Sequence, residues 1–187
     1  LVQRNNLLKQ IRFQNNLIET LEAWDIQLVK YGSEVIKYRE KFIKHLGEVC
    51  QKIHNKLTGG KEKILLEYDR DVGYDSYLTE LAKKRQKDLK YSTTTVGPHR
   101  DDISFIVNGI DIRKYGSQGQ QRTAALSLKL AQIQLMREVM KESPILLLDD
   151  VLSELDSNRK TYLLESIKDT QTIITCTCLL YTSDAAD

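Results

Sequence analysis

Two rows of apolar residues, each with a spacing of seven, run along residues 7–53. The first row, interrupted only by Gln14, comprises Leu7, Leu21, Leu28, Val35, Phe42 and Val49. The second row is broken in its middle by Asp25, Gly32 and Arg39. A two-stranded coiled coil needs both rows to be apolar throughout, so the pattern predicts helices that pack on a body, bent or interrupted near Gly32 and Ser33. Two interpretations stay open: a helical subdomain with an ordinary core stripe, or an arm that contacts DNA or a partner.

The next elements alternate between strands and helices. Thr58-Gly59-Gly60-Lys61 ends the helical region, and Ile64 to Asp69 is predicted as a strand. Ser76 to Lys90 is predicted as a helix with Ser76 as its N-cap and Glu80 near the capping-box position. Because Asn108-Gly109 is a strong hairpin signal, the strand Ile103 to Val107 should pair with Ile110 to Arg113.

The last third of the chain predicts a parallel sheet with helices. A helix from Ser117 to Lys141 carries the predicted apolar face of Leu126, Leu128, Leu130, Ile133, Leu135, Met136 and Val139. Four consecutive aliphatic residues, Ile145 to Leu148, indicate a strand that is buried on both faces. A helix from Asp156 to Ile167 and a strand from Thr172 to Thr177 follow. We therefore expect an α/β fold with a right-handed parallel sheet.

Composition excludes several classes of protein. The 187 residues are 41% hydrophobic, which is typical of a globular chain. No run approaches the roughly 18 apolar residues of a membrane span, and the N-terminus lacks a secretory pattern, so we expect a cytoplasmic protein. Cys50, Cys176 and Cys178 lack zinc-type spacing and are expected to be ordinary reduced thiols.

We divide the chain into three parts. Residues 1–90 form a mainly helical arm subdomain, and residues 91–177 form an α/β lobe. Residues 178–187 have neither helical nor strand periodicity, and we expect this tail to be non-native. The chain starts at Leu1 inside a helical pattern, which predicts an N-terminally truncated fragment.

The basic residues of the chain cluster most densely in the predicted helix 76–90. Lys83, Lys84 and Arg85 are followed there by Lys87 and Lys90. A solvated helix face explains such a cluster, and contact with nucleic-acid phosphates is the alternative.

The chemistry is concentrated between Ser117 and Asp156. Ser117 and Gly119 at a helix start can present a hydroxyl and unhindered N–H groups to an anion, where the helix dipole adds positive charge. Asp149 and Asp150 follow a buried strand, the place where nucleotide-binding sheets hold Mg²⁺ and orient water. These features predict half of an ATP site, since the sequence contains no Gly-x-x-x-x-Gly-Lys-Ser/Thr loop.

Three stretches together resemble one known family. They are the run from Ser117-Gln118-Gly119-Gln120-Gln121 to Ala131, the run from Leu146 to Asp156, and Gly97-Pro98-His99-Arg100-Asp101-Asp102. In this order they are similar to the signature helix, the Walker B and D-loop run, and a third motif of the RecF family of ABC-type ATPases in DNA repair. The resemblance covers almost all of residues 1–177 and implies the C-terminal half of an ABC-type ATPase head with a helical arm.

The resemblance also implies roles for individual residues. In an ATP-bound dimer, Ser117, Gln118, Gly119 and Gln120 would contact the nucleotide of the partner subunit. Asp149 would bind Mg²⁺ and Asp150 would act on the attacking water, while Ser153 and Asp156 would belong to the D-loop. Thr175 to Thr177 would replace the switch histidine of transporters. His99, Arg100 and Asp101 remain a possible DNA or site motif, and a polar turn with a local salt bridge is the alternative.

At the level of the whole protein, the resemblance implies a weak ATPase that dimerises on ATP and binds single-stranded DNA and gapped duplex. It would act in recombinational repair and replication with RecO and RecR and help to load the RecA recombinase. This chain by itself would be inactive because the Walker A loop is missing. The rivals are an ABC transporter ATPase, an SMC-type chromosome maintenance ATPase, and a non-hydrolysing DNA-binding scaffold.

Overall fold

A computed structural model of the chain describes residues 1–140 and 143–175, and the predicted tail lies outside them. The chain divides into two compact units. Unit 1 comprises Leu1–Gly47 and Leu66–Ile106, and unit 2 comprises Glu48–Leu65 and the chain from Val107 onward. In the described part, no helix combines the length and the apolar character that crossing a membrane requires.

The helical region begins with α1 (Val2–Ile11) and a 3₁₀ helix (Asn15–Thr20), after which α2 spans Leu21–Leu57. Of the bend or interruption predicted near Gly32, the interruption is wrong, because α2 runs through Gly32 without a break. Gly32 is instead a packing position: a Cβ there would lie 2.6 Å from the Tyr77 ring. The missing side chain therefore lets Tyr77 approach the helix backbone.

Unit 1 has two apolar clusters. The first joins α2 to the helix α3 (Tyr77–Tyr91) and contains Ile36, Val72, Tyr77, Leu81 and Val96. The second lies around α1 and contains Leu7, Leu8, Ile11 and Leu21. Ser76 precedes α3 as predicted, but its hydroxyl bonds the carbonyl of Gly73 at 3.3 Å and caps no helical N–H group.

A buried ionic network also lies in unit 1. Arg4 is 1% exposed, and its guanidinium donates to Asp25 at 2.6 Å and to Asp88 at 2.8 Å. The same group donates to the Thr94 hydroxyl at 2.7 Å, and Arg85 bonds the second oxygen of Asp25 at 2.9 Å. The network therefore ties α1, α2 and α3 together through side chains far apart in sequence.

A three-stranded sheet has the order β1 (Ile64–Asp69), β2 (Asp102–Val107), β3 (Ile110–Asp111). The predicted strand Ile64 to Asp69 and the Asn-Gly hairpin are confirmed. Asn108 and Gly109 have φ of 48° and 83°, the positive values that a type I′ turn requires. The second strand of the hairpin is shorter than predicted, because Ile112–Tyr115 form the short helix α4, capped by the Asp111 carboxylate.

Unit 2 contains α5 (Gln118–Met140), β4 (Leu146–Asp149), a 3₁₀ helix (Val151–Glu154), α6 (Ser157–Ile167) and β5 (Thr172–Thr175). The strands β4 and β5 are parallel, with Leu146 opposite Thr172 and Asp149 opposite Thr175. The prediction of an α/β fold with parallel strands and a long helical part is therefore confirmed.

Two burial predictions for unit 2 are wrong. Met136 and Val139 of α5 are 48% and 81% exposed, so the predicted apolar face is not buried at these two positions. The strand β4 is buried on one face only: Leu148 is 8% exposed, whereas Leu147 is 70% exposed. Ile145 and Ile173 add to this open apolar face.

Cys50 is the free thiol of the described residues and lies in the interior. Burial raises its pKa to about 12, so the thiol stays protonated at neutral pH and is unreactive. This agrees with the prediction of an ordinary reduced thiol. Cys176 and Cys178 lie outside the described residues.

Candidate functional site

The signature segment, Ser117 to Gln121, forms a capping box at the head of α5. The Ser117 hydroxyl accepts from the N–H of Gln120 at 3.2 Å, and the Gln120 side-chain oxygen accepts from the N–H of Ser117 at 3.1 Å. Ser117, Gln118 and Gly119 are exposed. An exposed hydroxyl at the N-terminus of a 23-residue helix suits an anion such as a phosphate.

The hydroxyls of Thr123 and Ser127 bond backbone carbonyls within the first turns of α5. Thr123 donates to the carbonyl of Gly119 at 2.7 Å, and Ser127 donates to the carbonyl of Thr123 at 2.7 Å. Both side chains are fully buried. Bonds from a hydroxyl to the carbonyl four residues earlier are common in helices. Here they form a chain that ends at the carbonyl of Gly119.

The acidic pair, Asp149 and Asp150, lies at the carboxyl end of β4. Asp149 is the last residue of the strand, and Asp150 has a left-handed backbone with φ of 49°. The neighbouring strand holds both residues through Thr175. Its hydroxyl donates to the Asp149 carboxylate at 2.5 Å, and its carbonyl accepts from the N–H of Asp150 at 3.0 Å.

A cleft of about 300 Å³ lies beside the acidic pair. Arg122 and Lys129 from α5 line this cleft together with Asp149 and Asp150. Sequence reasoning missed these two cations. The signal was present, because the lining positions Arg122, Ala125, Leu126 and Lys129 have the spacing of one helical face.

The predicted D-loop residues have structural partners. The hydroxyl of Ser153 donates to the carbonyl of Asp150 at 2.8 Å. Asp156 caps α6 by accepting from the N–H of Arg159 at 3.0 Å. It lines a second cleft, of about 510 Å³, together with Lys56, Lys61 and Arg159.

The structure therefore distributes the predicted ATP-site residues over three places in unit 2. The acidic pair lines the first cleft, and Asp156 lines the second. The signature segment forms the exposed head of α5. The first cleft begins along α5 at Arg122, one residue beyond this segment.

The Gly97-to-Asp102 motif folds around a buried carboxylate in unit 1. The side chain of Asp101 is 2% exposed and accepts from Arg39 at 3.0 Å, from the Tyr68 hydroxyl, and from the N–H of Asp71 at 3.0 Å. Burial and the bond to Asp101 raise the pKa of Tyr68 to about 12, so this phenol remains a donor. His99 and Arg100 are exposed beside this anchor.

Gly97 is required by the geometry of the same loop. Its φ of 134° disfavours other residues, and a Cβ there would lie 2.2 Å from the Tyr77 hydroxyl. Its N–H donates to Asp71 at 2.9 Å. The motif is thus held by partners from several segments rather than by one local salt bridge.

The basic cluster of α3 is split by the structure. Arg85 is held by the buried carboxylate of Asp25, and Lys83 pairs with Glu80 at 2.7 Å. Lys84 and Lys87 are exposed to solvent. These two residues can meet a phosphate without breaking a packed ion pair.

In residues 1–140 and 143–175, no group of three His, Cys, Asp or Glu side chains could hold a metal ion. The acidic pair nevertheless supplies the hard oxygen ligands that Mg²⁺ prefers. A magnesium ion commonly takes one or two carboxylates, and its other ligands come from nucleotide phosphates and water. Asp149 and Asp150 fit this arrangement.

The chain is similar to curated bacterial proteins along nearly its whole length. It is 58% identical over 179 residues to the DNA replication and repair protein RecF of Agathobacter rectalis, and this match covers 96% of the chain. It is 56% identical to the protein of the same name from Lachnospira eligens. The chain spans about half of each relative, 49% in both cases. No protein-family model matches it.

Two solved structures have the same fold. One, described as the recombination mediator protein RecF with ATP in the RecFOR pathway, superposes with a TM-score of 0.88 at 38% identity. That match covers 98% of the chain and 51% of the solved one. The second, the same mediator with ATPrS, has a TM-score of 0.84 at 39% identity.

Proposed function

Since the chain belongs to the RecF family, we propose that it supplies the signature and the acidic pair of an ATP-dependent DNA repair protein. The observation that carries this proposal is the position of Asp149 and Asp150. They lie at the carboxyl end of a parallel strand, tied to Thr175 of the neighbouring strand. Open α/β sheets bind their ligands at this edge.

Asp149 would hold Mg²⁺, which neutralises charge on the transferring phosphate, and Asp150 would orient the attacking water. Arg122 and Lys129 face the same cleft and would offset the charge of the carboxylates. The Thr175 hydroxyl would serve where transporters use a histidine. The phosphate-binding loop would come from the half of the full-length relatives that this chain does not span.

The head of α5 and the end of β4 would serve two different nucleotides. Ser117 to Gly119 are exposed at the head of α5, and the cleft of the acidic pair begins only at Arg122. We therefore assign the signature segment to the nucleotide of a second copy and the acidic pair to the nucleotide of its own subunit. The dimer would form on ATP, with Ser153 and Asp156 near the seam.

The open apolar face of the parallel strands would pack against the remainder of the full-length protein. Ile145, Leu147 and Ile173 are all more than half exposed on this face. Exposed aliphatic side chains in a parallel sheet are normally covered by helices or further strands. Residues 91–177 would then be one lobe of the ATPase head, and residues 1–90 its helical arm.

The DNA-related part of the proposal rests on the family and on charge. Lys84 and Lys87 of α3, with the exposed His99 and Arg100, are candidates for phosphate contact. The whole protein would bind single-stranded DNA and gapped duplex in the cytoplasm, act with RecO and RecR, and help to load the RecA recombinase. A switch of this kind needs only slow ATP hydrolysis.

Mixing two inactive variants of the full-length protein tests the assignment. Asp150→Asn and Ser117→Ala should each abolish ATP turnover. If Ser117 acts on the nucleotide of its partner, a mixed dimer has one intact site, and random pairing at equal amounts restores about a quarter of the turnover. Failure to recover activity in mixed dimers would contradict action across the dimer.

DNA-binding measurements distinguish an ATP-dependent repair protein from a non-hydrolysing DNA-binding scaffold. Asp150→Asn should leave the salt dependence of binding to gapped duplex unchanged. Lys84→Gln combined with Lys87→Gln should lower that slope by about two, because each lysine would neutralise one phosphate. Full turnover by Asp150→Asn would instead support a non-hydrolysing scaffold.

A further inference from the structure

A buried histidine and a partly buried glutamate lie next to each other in unit 2, and both contact α5. His54, near the end of α2, is fully buried, and Glu62 is 21% exposed. The His54 Nε2 atom and the Glu62 Oε2 atom are 3.3 Å apart. Neither residue belongs to the motifs that carried the family resemblance.

The other oxygen of Glu62 reaches the signature segment. Glu62 Oε1 accepts from the side-chain N–H of Gln120 at 3.2 Å. This bond determines how the Gln120 amide is oriented: its nitrogen must face the carboxylate, so its oxygen faces the N–H of Ser117. The capping box at Ser117 therefore depends on an acceptor 58 residues earlier in the chain.

His54 reaches the same helix by a second route. Its Nδ1 atom is 2.9 Å from the Ser127 hydroxyl, whose own proton goes to the carbonyl of Thr123. Since Ser127 has a single proton, it must accept from His54, and Nδ1 must carry a hydrogen. Thr123 in turn bonds the carbonyl of Gly119. The pair is thus connected to both Ser117 and Gly119.

With one hydrogen on Nδ1, the contact between Nε2 and Glu62 depends on whether either of these two groups carries a further proton. Burial lowers the pKa of His54, and the carboxylate of Glu62 opposes this shift. A neutral His54 would place a lone pair opposite the carboxylate, so the contact is favourable when one of the two atoms carries a proton. The bond to Gln120 uses the other oxygen of Glu62, Oε1, and so does not depend on this proton.

We propose that Glu62 is a positioning residue for the signature segment, holding the Gln120 amide so that it caps Ser117 and fixes the head of α5. This inference rests on the proposed function of Ser117. It also assigns Gln120 a role different from direct nucleotide contact, because both ends of its amide are bonded within the chain.

Kinetics of the full-length protein provide the test. Glu62→Ala should lower kcat for ATP by about tenfold, the value of one hydrogen bond to a charged group. The Kd for ATP should change by less than about twofold, because binding to the subunit's own loop does not use Ser117. Glu62→Gln should recover most of the turnover, since an amide offers an acceptor to Gln120 and a donor to His54 Nε2. Glu67→Ala, an exposed carboxylate on β1, is the matched control.

A double variant shows whether Glu62 acts through Gln120. Gln120→Met removes the same hydrogen bond by replacing its donor instead of its acceptor. This variant tests the inference even if Glu62→Ala fails to fold. If the inference holds, the double variant loses no more turnover than Gln120→Met alone, because one pathway has been removed twice. Additive losses would overturn it.

Hydrogen exchange gives a readout independent of turnover. In Glu62→Ala, the amide of Ser117 should exchange about tenfold faster, while amides of α3 remain unchanged. Normal turnover in Glu62→Ala combined with inactive Ser117→Ala would overturn this inference and leave the proposed function intact. Full activity of Ser117→Ala would overturn both.

Discussion

Unit 1 and unit 2 each bring two carboxylates together, but they place them in opposite environments. In unit 1, Asp25 and Asp88 are buried, and both receive hydrogen bonds from Arg4. In unit 2, Asp149 and Asp150 are exposed at the end of β4. The first pair is buried and shares one guanidinium, whereas the second is exposed to solvent.

This difference shows how to separate structural from functional charges. A buried charge must be paired, because an isolated ion in the interior costs several kcal/mol. Asp25 and Asp88 therefore cannot be released to a ligand without breaking their buried bonds to Arg4. Exposed carboxylates at a strand end cost little to solvate and can exchange water for a cation or a nucleotide.

The largest effect is expected from breaking the network in unit 1. Arg4→Ala would leave two buried carboxylates without their shared partner, and it should lower the free energy of unfolding by about 3–5 kcal/mol. Denaturant unfolding followed by circular dichroism measures this loss. Lys9→Ala, exposed on the same helix, is the control and should change stability by less than about 0.5 kcal/mol. Equal effects of the two substitutions on stability would contradict a structural role for the buried charges of unit 1.

An intermediate effect is expected from the buried His54 of unit 2. Because the pKa of His54 is lowered in the folded chain, the unfolded chain binds more protons as the pH falls below about 6.5. Stability should therefore decrease with falling pH in this window. Glu62 opposes the decrease and Arg159 adds to it, since they are the charged groups that act on the imidazole.

His54→Gln removes this titration and should flatten the pH dependence of stability between about pH 5 and 7. His45→Gln is the control, because His45 is an exposed histidine on the same helix. Unfolding titrations at several pH values measure the slopes. An unchanged slope in His54→Gln would show that other groups cause the pH dependence.

The smallest effect on stability is expected at the acidic pair. Asp150→Asn should change the free energy of unfolding by less than about 0.5 kcal/mol, because its carboxylate is exposed. The same variant should lose ATP turnover in the full-length protein. A loss of stability comparable to that of Arg4→Ala would mean that the two acidic regions do not differ.

Local chemistry made part of the fold predictable from sequence. The turn at Asn108-Gly109 follows from the positive φ that these residues tolerate, and the strand Ile64 to Asp69 was predicted with its observed bounds. The acidic pair follows an aliphatic strand, so its position at the strand end could also be read from the chain. In these cases neighbouring residues determine the conformation.

Tertiary contacts account for what sequence reasoning missed. Gly32 looked like a helix breaker, but it lies inside α2, where the absence of a side chain leaves room for the Tyr77 ring. Burial on both faces of β4 depends on what covers the sheet, and the pattern of Ile145 to Leu148 does not contain that information. Glu62 and Gln120 are 58 residues apart, and no local periodicity connects them.

The capping box at Ser117 also determines the direction in which this hydroxyl can act. A hydroxyl has one proton and two lone pairs, and the N–H of Gln120 occupies a lone pair. The cap therefore leaves the hydroxyl proton available. It also holds the Ser117 oxygen at the N-terminus of α5, the helix end that favours negative charge. Ser117 can stabilise the helix and donate to an incoming oxygen at the same time, so threonine could replace it in both tasks and alanine in neither.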